Sequence, residues 1–173
     1  MKPGRQYILS IPGLRSGEHS FAYTLGQDFF GTYPESQLQH PNLEADVQVE
    51  KRETMMVLSI RILGTVAAEC DRCGQAFDLP LDQEHGLIVK YGEPQEDKEE
   101  DIHWIDPQET ELVLDPWLYE FAHLSLPVRR VHPATPEGDP GCDPEILARL
   151  NDSQEQEKSD PRWDQLNSLT QES

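Results

Sequence analysis

The stretch Met56-Val57-Leu58-Ser59-Ile60-Arg61-Ile62-Leu63-Gly64-Thr65-Val66-Ala67-Ala68-Glu69-Cys70-Asp71-Arg72-Cys73-Gly74 decides the fold. Successive side chains of a strand point to opposite faces. Met56, Leu58, Ile60, Ile62, Val66 and Ala68 therefore share one face, with Gly64 in the same phase. A strand running from Met56 to Ala68 needs a bend, and Gly64 is the expected place for it. It delivers the chain to Cys70-Asp71-Arg72-Cys73. After that turn Phe77, Leu79 and Leu81 resume the alternation, so the two thiols are expected at the tip of a hairpin. Two residues between cysteines let the backbone curl around one cation, and Gly74 can take positive φ without steric cost.

Upstream, Leu43, Ala45, Val47 and Val49 alternate with Glu44, Asp46, Gln48 and Glu50, a strand with one polar face. Tyr7 to Ile11 and Phe21 to Leu25 read as earlier short strands, and Gly26 to Pro41 as loop with at most one helical turn. Downstream, Leu87, Val89 and Tyr91 read as a further strand. Gly92 to Asp101 is an acidic run without an apolar residue, expected to be solvated and mobile. Ile102 to Ile105 and Leu112 to Leu114 suit edge strands. Asp115-Pro116 predicts a helix start, with Asp115 as cap and Leu114, Trp117, Leu118, Phe121 and Leu124 on one face. Asp143-Pro144 and Asp160-Pro161 repeat that start before shorter apolar patterns. The expected fold class is α+β: an antiparallel curled sheet or partial barrel, with a packed helix and a zinc-knuckle-like hairpin tip. Residues 1–150 are expected to form a single domain. Residues 151–173 are expected to be an acidic, partly disordered tail carrying a short helix with Trp163.

Three cysteines, an odd number, argue against a disulfide framework. No stretch reaches membrane-spanning length, and the start leads into a strand rather than a signal core, so the expected location is the cytoplasm. Hydrophobic residues make up 36% of the chain, low enough to leave part of it unpacked. The net charge is −19, unevenly placed: residues 1–90 carry 8 basic and 12 acidic groups, residues 91–173 carry 6 and 21. Such a chain is repelled by a phosphate backbone unless a local patch reverses the field, and its easiest partners are basic proteins. Acidity that serves only solubility is the plain alternative.

The thiol pair admits three readings. A structural zinc comes first, with Cys142, the only other thiol, and His132 in the same loop completing a set with Cys70 and Cys73. Four protein ligands would leave no position for water and hence no catalysis. A thiol-based redox protein using Cys70 and Cys73 comes second; dithiol oxidoreductases place the pair at a helix N-terminus, whereas strand alternation resumes here. Three inert thiols are the third. The loop from Val131 to Cys142 has no apolar reason to be ordered, and a metal would give it one. His19, His40, His85, His103 and His123 have no partner visible in sequence and read as structural. Arg129-Arg130, the basic doublet of the acidic half, suits either a phosphate or acidic groove or local neutralisation. Nucleophile elbow, phosphate loop and dinucleotide fingerprint are all missing, so an enzyme is not expected.

The strand ending in Cys70-Asp71-Arg72-Cys73, the acidic loop, the helix running into Leu124-Ser125-Leu126-Pro127, the Cys142 loop, and Asp160-Pro161-Arg162-Trp163-Asp164-Gln165-Leu166 together resemble the YceD family of bacteria and plastids. The resemblance covers most of the chain. It implies a role in accumulation of large-subunit ribosomal RNA, and a gene neighbourhood shared with a ribosomal protein of that subunit. It also implies further cysteines after the Leu-x-Leu-Pro segment, where this chain has His132. The expectation is then a non-enzymatic accessory factor in large-subunit assembly. Its partner would be a basic ribosomal protein, held through the acidic segments and anchored by Trp163, or ribosomal RNA held by Arg61, Arg72, Arg129 and Arg130. No membrane and no small-molecule substrate are expected.

Overall fold

The computed structural model describes residues 6–93, 102–136 and 140–155. They fall into two compact units. The first takes the chain up to Glu69 and from Ala76 to Arg130; the second takes Cys70–Gln75 and the chain from Val131 onward.

The first unit is built on a five-stranded sheet in the order β2 (Gly17–Leu25), β3 (Gln39–Lys51), β4 (Met55–Glu69), β5 (Ala76–Tyr91), β6 (Ile102–Ile105). The fold is α+β, and the sheet is open at both edges. The period-two pattern sets its buried face. Leu43, Ala45, Val47 and Val49 of β3 lie against solvent-free positions Met56, Leu58, Ile60 and Ile62 of β4, in a register that places Val47 opposite Ile60 and Val49 opposite Leu58. Each of the Val, Leu, Ile and Met side chains among them stabilises the sheet by about 1.5–3 kcal/mol through burial alone. Gly64 makes the bend, with φ +133°; a Cβ there would collide with the Asn42 carbonyl oxygen. The partner strand shifts register at the same place, between Gln39 and Asn42.

Two expectations about elements are corrected, and Ile102–Ile105 is the expected edge strand. Phe77–Leu81 and Leu87–Tyr91 belong to one strand, β5, which runs beside β4 along its whole length. The gap in the apolar pattern is bridged by His85, opposite Ile60, which stacks on Phe121 with ring centroids 4.8 Å apart and an interplanar angle of 8°. β6 pairs with β5 in parallel, Ile88 opposite Ile102 and Tyr91 opposite Ile105, while the other four strands are antiparallel. The Gly92–Asp101 run is too long for a hairpin turn, so nothing forces an antiparallel return. Asp115 is the first residue of a helix, α2 (Asp115–Leu124), not its cap; Leu114 holds the cap position and makes no side-chain bond.

α2 closes the sheet face with Leu118, Phe121 and Ala122, all buried, whereas Leu124 is 61% exposed and lies off that face. Its last turn is tied down by polar contacts. The Ser125 hydroxyl donates to the Phe121 carbonyl at 2.7 Å and lies 2.8 Å from His85 Nε2. Since that hydroxyl proton is used, His85 Nε2 carries the proton and donates to Ser125. His123 Nδ1 receives no free choice either: it lies 2.9 Å from the Tyr119 carbonyl and so donates to it. A separate two-stranded sheet pairs β1 (Ile8–Ser10) with β7 (Glu111–Val113), whose Leu9 and Leu112 enter the core. A single helical turn, α1 (Gln27–Phe30), adds Phe29 and Phe30, the latter edge-on to His123 at 6.1 Å.

In the second unit the thiol turn Cys70–Gln75 is closed on itself. The Cys70 amide donates to the Gln75 carbonyl at 2.9 Å and the Gly74 amide to the Cys70 carbonyl at 2.8 Å, with Gly74 at φ +72°. Helix α3 (Pro144–Glu155) is capped by Asp143, whose Oδ1 accepts the Glu145 amide at 2.8 Å. It runs on past Leu150 to Glu155. The expected mobility of Gly92–Asp101 and of the tail falls almost wholly outside the described residues, as do the Asp160 helix start and Trp163.

Candidate metal centre

Cys70, Cys73, His132 and Cys142 converge. Their ligand atoms, three Sγ and one imidazole nitrogen, all lie within 4.8 Å of one another. Cys70 Sγ is 3.7 Å from Cys142 Sγ, and Cys73 Sγ is 3.5 Å from His132 Nδ1. All three cysteines are free and buried. All four ligands belong to the second unit.

Each is placed by local backbone logic. The Cys-x-x-Cys turn points both sulfurs inward because its own amides close beneath them. The Arg72 amide donates to Cys70 Sγ at 3.4 Å. His132 and Cys142 sit at the two ends of a loop pinched by an antiparallel bridge between Ala134 and Pro140. Gly141 permits the pinch, since a Cβ there would collide with the Pro133 carbonyl oxygen. A further tie was not anticipated from the sequence: Gln75 Nε2 donates to Asp143 Oδ2 at 3.0 Å, joining the end of the thiol turn to the cap of α3. The Asp-Pro signature announced Asp143 as a cap, and nothing in the sequence announced its second partner.

The electrostatics of the cluster favour a cation. Burial alone would raise the Cys70 thiol. It is outweighed by backbone N–H groups of Cys73, Arg72 and His132 and by the Cys73 side chain, which bring Cys70 down to about 5. Cys142 is pushed the other way, by burial first and then by the hydrogen bonds and negative charge of Cys70 and Cys73. One thiolate is welcome in this pocket and a second or third is costly unless a cation shares the space. These four residues could hold a metal, and a metal would discharge all three sulfurs at once.

Residues 58–170 match the family model described as large ribosomal RNA subunit accumulation protein YceD. The chain belongs to the YceD family. The span that matches the YceD model opens within β4 at Leu58, takes in all four ligand positions, and includes β5, β6, β7, α2 and α3. No curated protein and no solved structure gives a match.

The other residues singled out in the sequence are placed differently. Arg129 and Arg130 are exposed and lie in the first unit. Arg61 is engaged by Asp82 through paired bonds of 2.6 Å, so its charge is locally answered. Arg72 lies in the thiol turn of the second unit. No helix among the described residues is long and apolar enough to cross a membrane.

Proposed function

We propose that this protein is a cytoplasmic, non-enzymatic accessory factor in assembly of the large ribosomal subunit, carrying one structural zinc and binding a basic ribosomal protein. The observation that carries the reading is membership of a family named for accumulation of large-subunit ribosomal RNA.

Zinc is the metal that suits the ligand set. Zinc–sulfur bonds of about 2.3 Å and zinc–nitrogen bonds of about 2.0–2.1 Å, at tetrahedral angles, give edges of about 3.8 Å between two sulfurs and about 3.5–3.6 Å between sulfur and nitrogen. The Cys70–Cys142 and Cys73–His132 separations of 3.7 and 3.5 Å agree with those edges. Three thiolates and an imidazole fill a tetrahedron, which leaves no site for water and makes the role structural. The redox alternative is weakened by access: a dithiol that exchanges electrons with a partner must meet it, and Cys70 is 3% exposed.

The charge supports a basic partner. A chain of net charge −19 opposes a phosphate backbone. Arg61, one of the residues an RNA patch would need, is paired with Asp82. An acidic surface would hold the Lys and Arg side chains of a ribosomal protein before ribosomal RNA takes them over, with RNA accumulation affected through that protein. Titration of the full chain against large-subunit ribosomal RNA alone, and against a basic large-subunit protein alone, tests this. The expected result is fast, salt-sensitive binding to the protein. Tight binding to naked RNA, abolished by Arg129→Glu with Arg130→Glu, would overturn it.

A further inference from the structure

The segment from β6 through β7 into the first turn of α2 forms a groove of about 590 Å³ on the first unit, within the range of sites that take a side chain or a small ligand. Ile105 and Leu112, which line it, are buried. Two half-buried tryptophans, Trp104 and Trp117, line it, together with the carboxylates of Asp106, Glu109 and Glu111. No lysine or arginine is among the described residues that line it.

Each feature has a chemical consequence. An indole face attracts a cation, and Lys90 Nζ stands 5.6 Å from the ring centroid of Trp104, so this wall is already of a kind that holds one. Trp117 is braced by His103, which meets it edge-on with centroids 4.7 Å apart. The Asp106 turn is fixed by its own backbone, the Gln108 amide donating to Asp106 Oδ1 at 2.7 Å. Flat aromatic walls beside a carboxylate rim match a guanidinium, which stacks on indole and is bonded in plane by carboxylates. The same rim repels phosphate, so a nucleic-acid backbone is the wrong occupant.

We propose that this groove docks an arginine-bearing segment of a basic protein, with the guanidinium between Trp104, Trp117 and the Glu109–Glu111 rim. The inference rests on the reading of a basic partner and gives it a place on the molecule.

The test is fluorescence anisotropy of a labelled Arg-Gly repeat peptide titrated with the full chain at low salt. Trp104→Ala is expected to weaken binding about tenfold, and Trp104→Phe, which keeps a ring, to recover most of it. Glu109→Lys with Glu111→Lys should weaken binding at least as much. Glu18→Lys with Glu44→Lys, the same charge change on exposed positions of β2 and β3, should change it less than about twofold. Trp104→Ala binding as tightly as the native chain, or equal losses from the two charge pairs, would overturn the proposal. So would a labelled oligouridine that binds the native chain and is lost in the groove variants. If the peptide follows the groove but no basic large-subunit protein is retained, the assembly reading falls and the groove stands. If such a protein is retained equally by the native chain and the groove variants, the groove falls and the assembly reading stands.

Discussion

Cys70 shows how one side chain carries several causes. Its amide and carbonyl close the thiol turn, its sulfur accepts the Arg72 amide, and its neighbours bring its pKa down to about 5. Cys70→Ser removes the sulfur yet keeps the turn. The expected outcome is loss of the metal, with faster amide exchange between Val131 and Cys142 and unchanged protection in β3 and β4, read by hydrogen exchange. Slowed or unchanged exchange in that loop would show that the metal does not order it. His85 offers a pH test. Burial lowers its pKa, so the folded chain holds it neutral. The stability it contributes is fully present above the unfolded value of about 6.5 and is lost as pH falls through the lower folded value. Urea midpoints should therefore drop on acidification below about 6.5, and less so in His85→Phe, which keeps a ring beside Phe121. Equal drops in both would remove His85 from the cause.

Among the elements, α2 is held to the sheet by few side chains, and they are unequal. Phe121 lies on His85 and is buried, so Phe121→Ala should cost about 3–5 kcal/mol. Leu124, exposed at the end of the same helix, should tolerate Leu124→Glu within about 0.5 kcal/mol. Chemical unfolding of both variants checks the contrast, and a large loss from Leu124→Glu would mean that the helix packs through another face. What was legible in the sequence follows from the same physics. Alternation along β3 and β4 announced the buried face, and Gly64 announced the bend. Leu124 continues the helical spacing of the apolar stripe yet is exposed, because spacing alone does not say how far along a helix the burial extends. The continuity of β5 is hidden because a half-buried histidine interrupts the apolar pattern, and its stacking partner is distant in sequence. The parallel β6 was hidden because pairing direction across a long connection is a tertiary choice that leaves no local pattern.

Across the whole molecule, the Cys-x-x-Cys turn is half of a ligand set whose second half has no recognised spacing; Cys142 is legible as the only other thiol and His132 as the histidine of the same loop, and the fold brings both to the turn. Arg61, a candidate RNA contact, is paired with Asp82 on the neighbouring strand, a contact that strand register alone decides. The account of the molecule turns on the metal. A metal held by these four residues would explain why a loop with little apolar content is fixed at both ends, and why three sulfurs can share one buried space. The direct measurement is the metal content of the purified full chain by native mass spectrometry under reducing conditions, beside Cys142→Ser. The account predicts about one zinc per native chain, retained through gel filtration, and none in the variant. A native chain that stays metal-free after incubation with zinc and desalting, with all three thiols reduced, would contradict it.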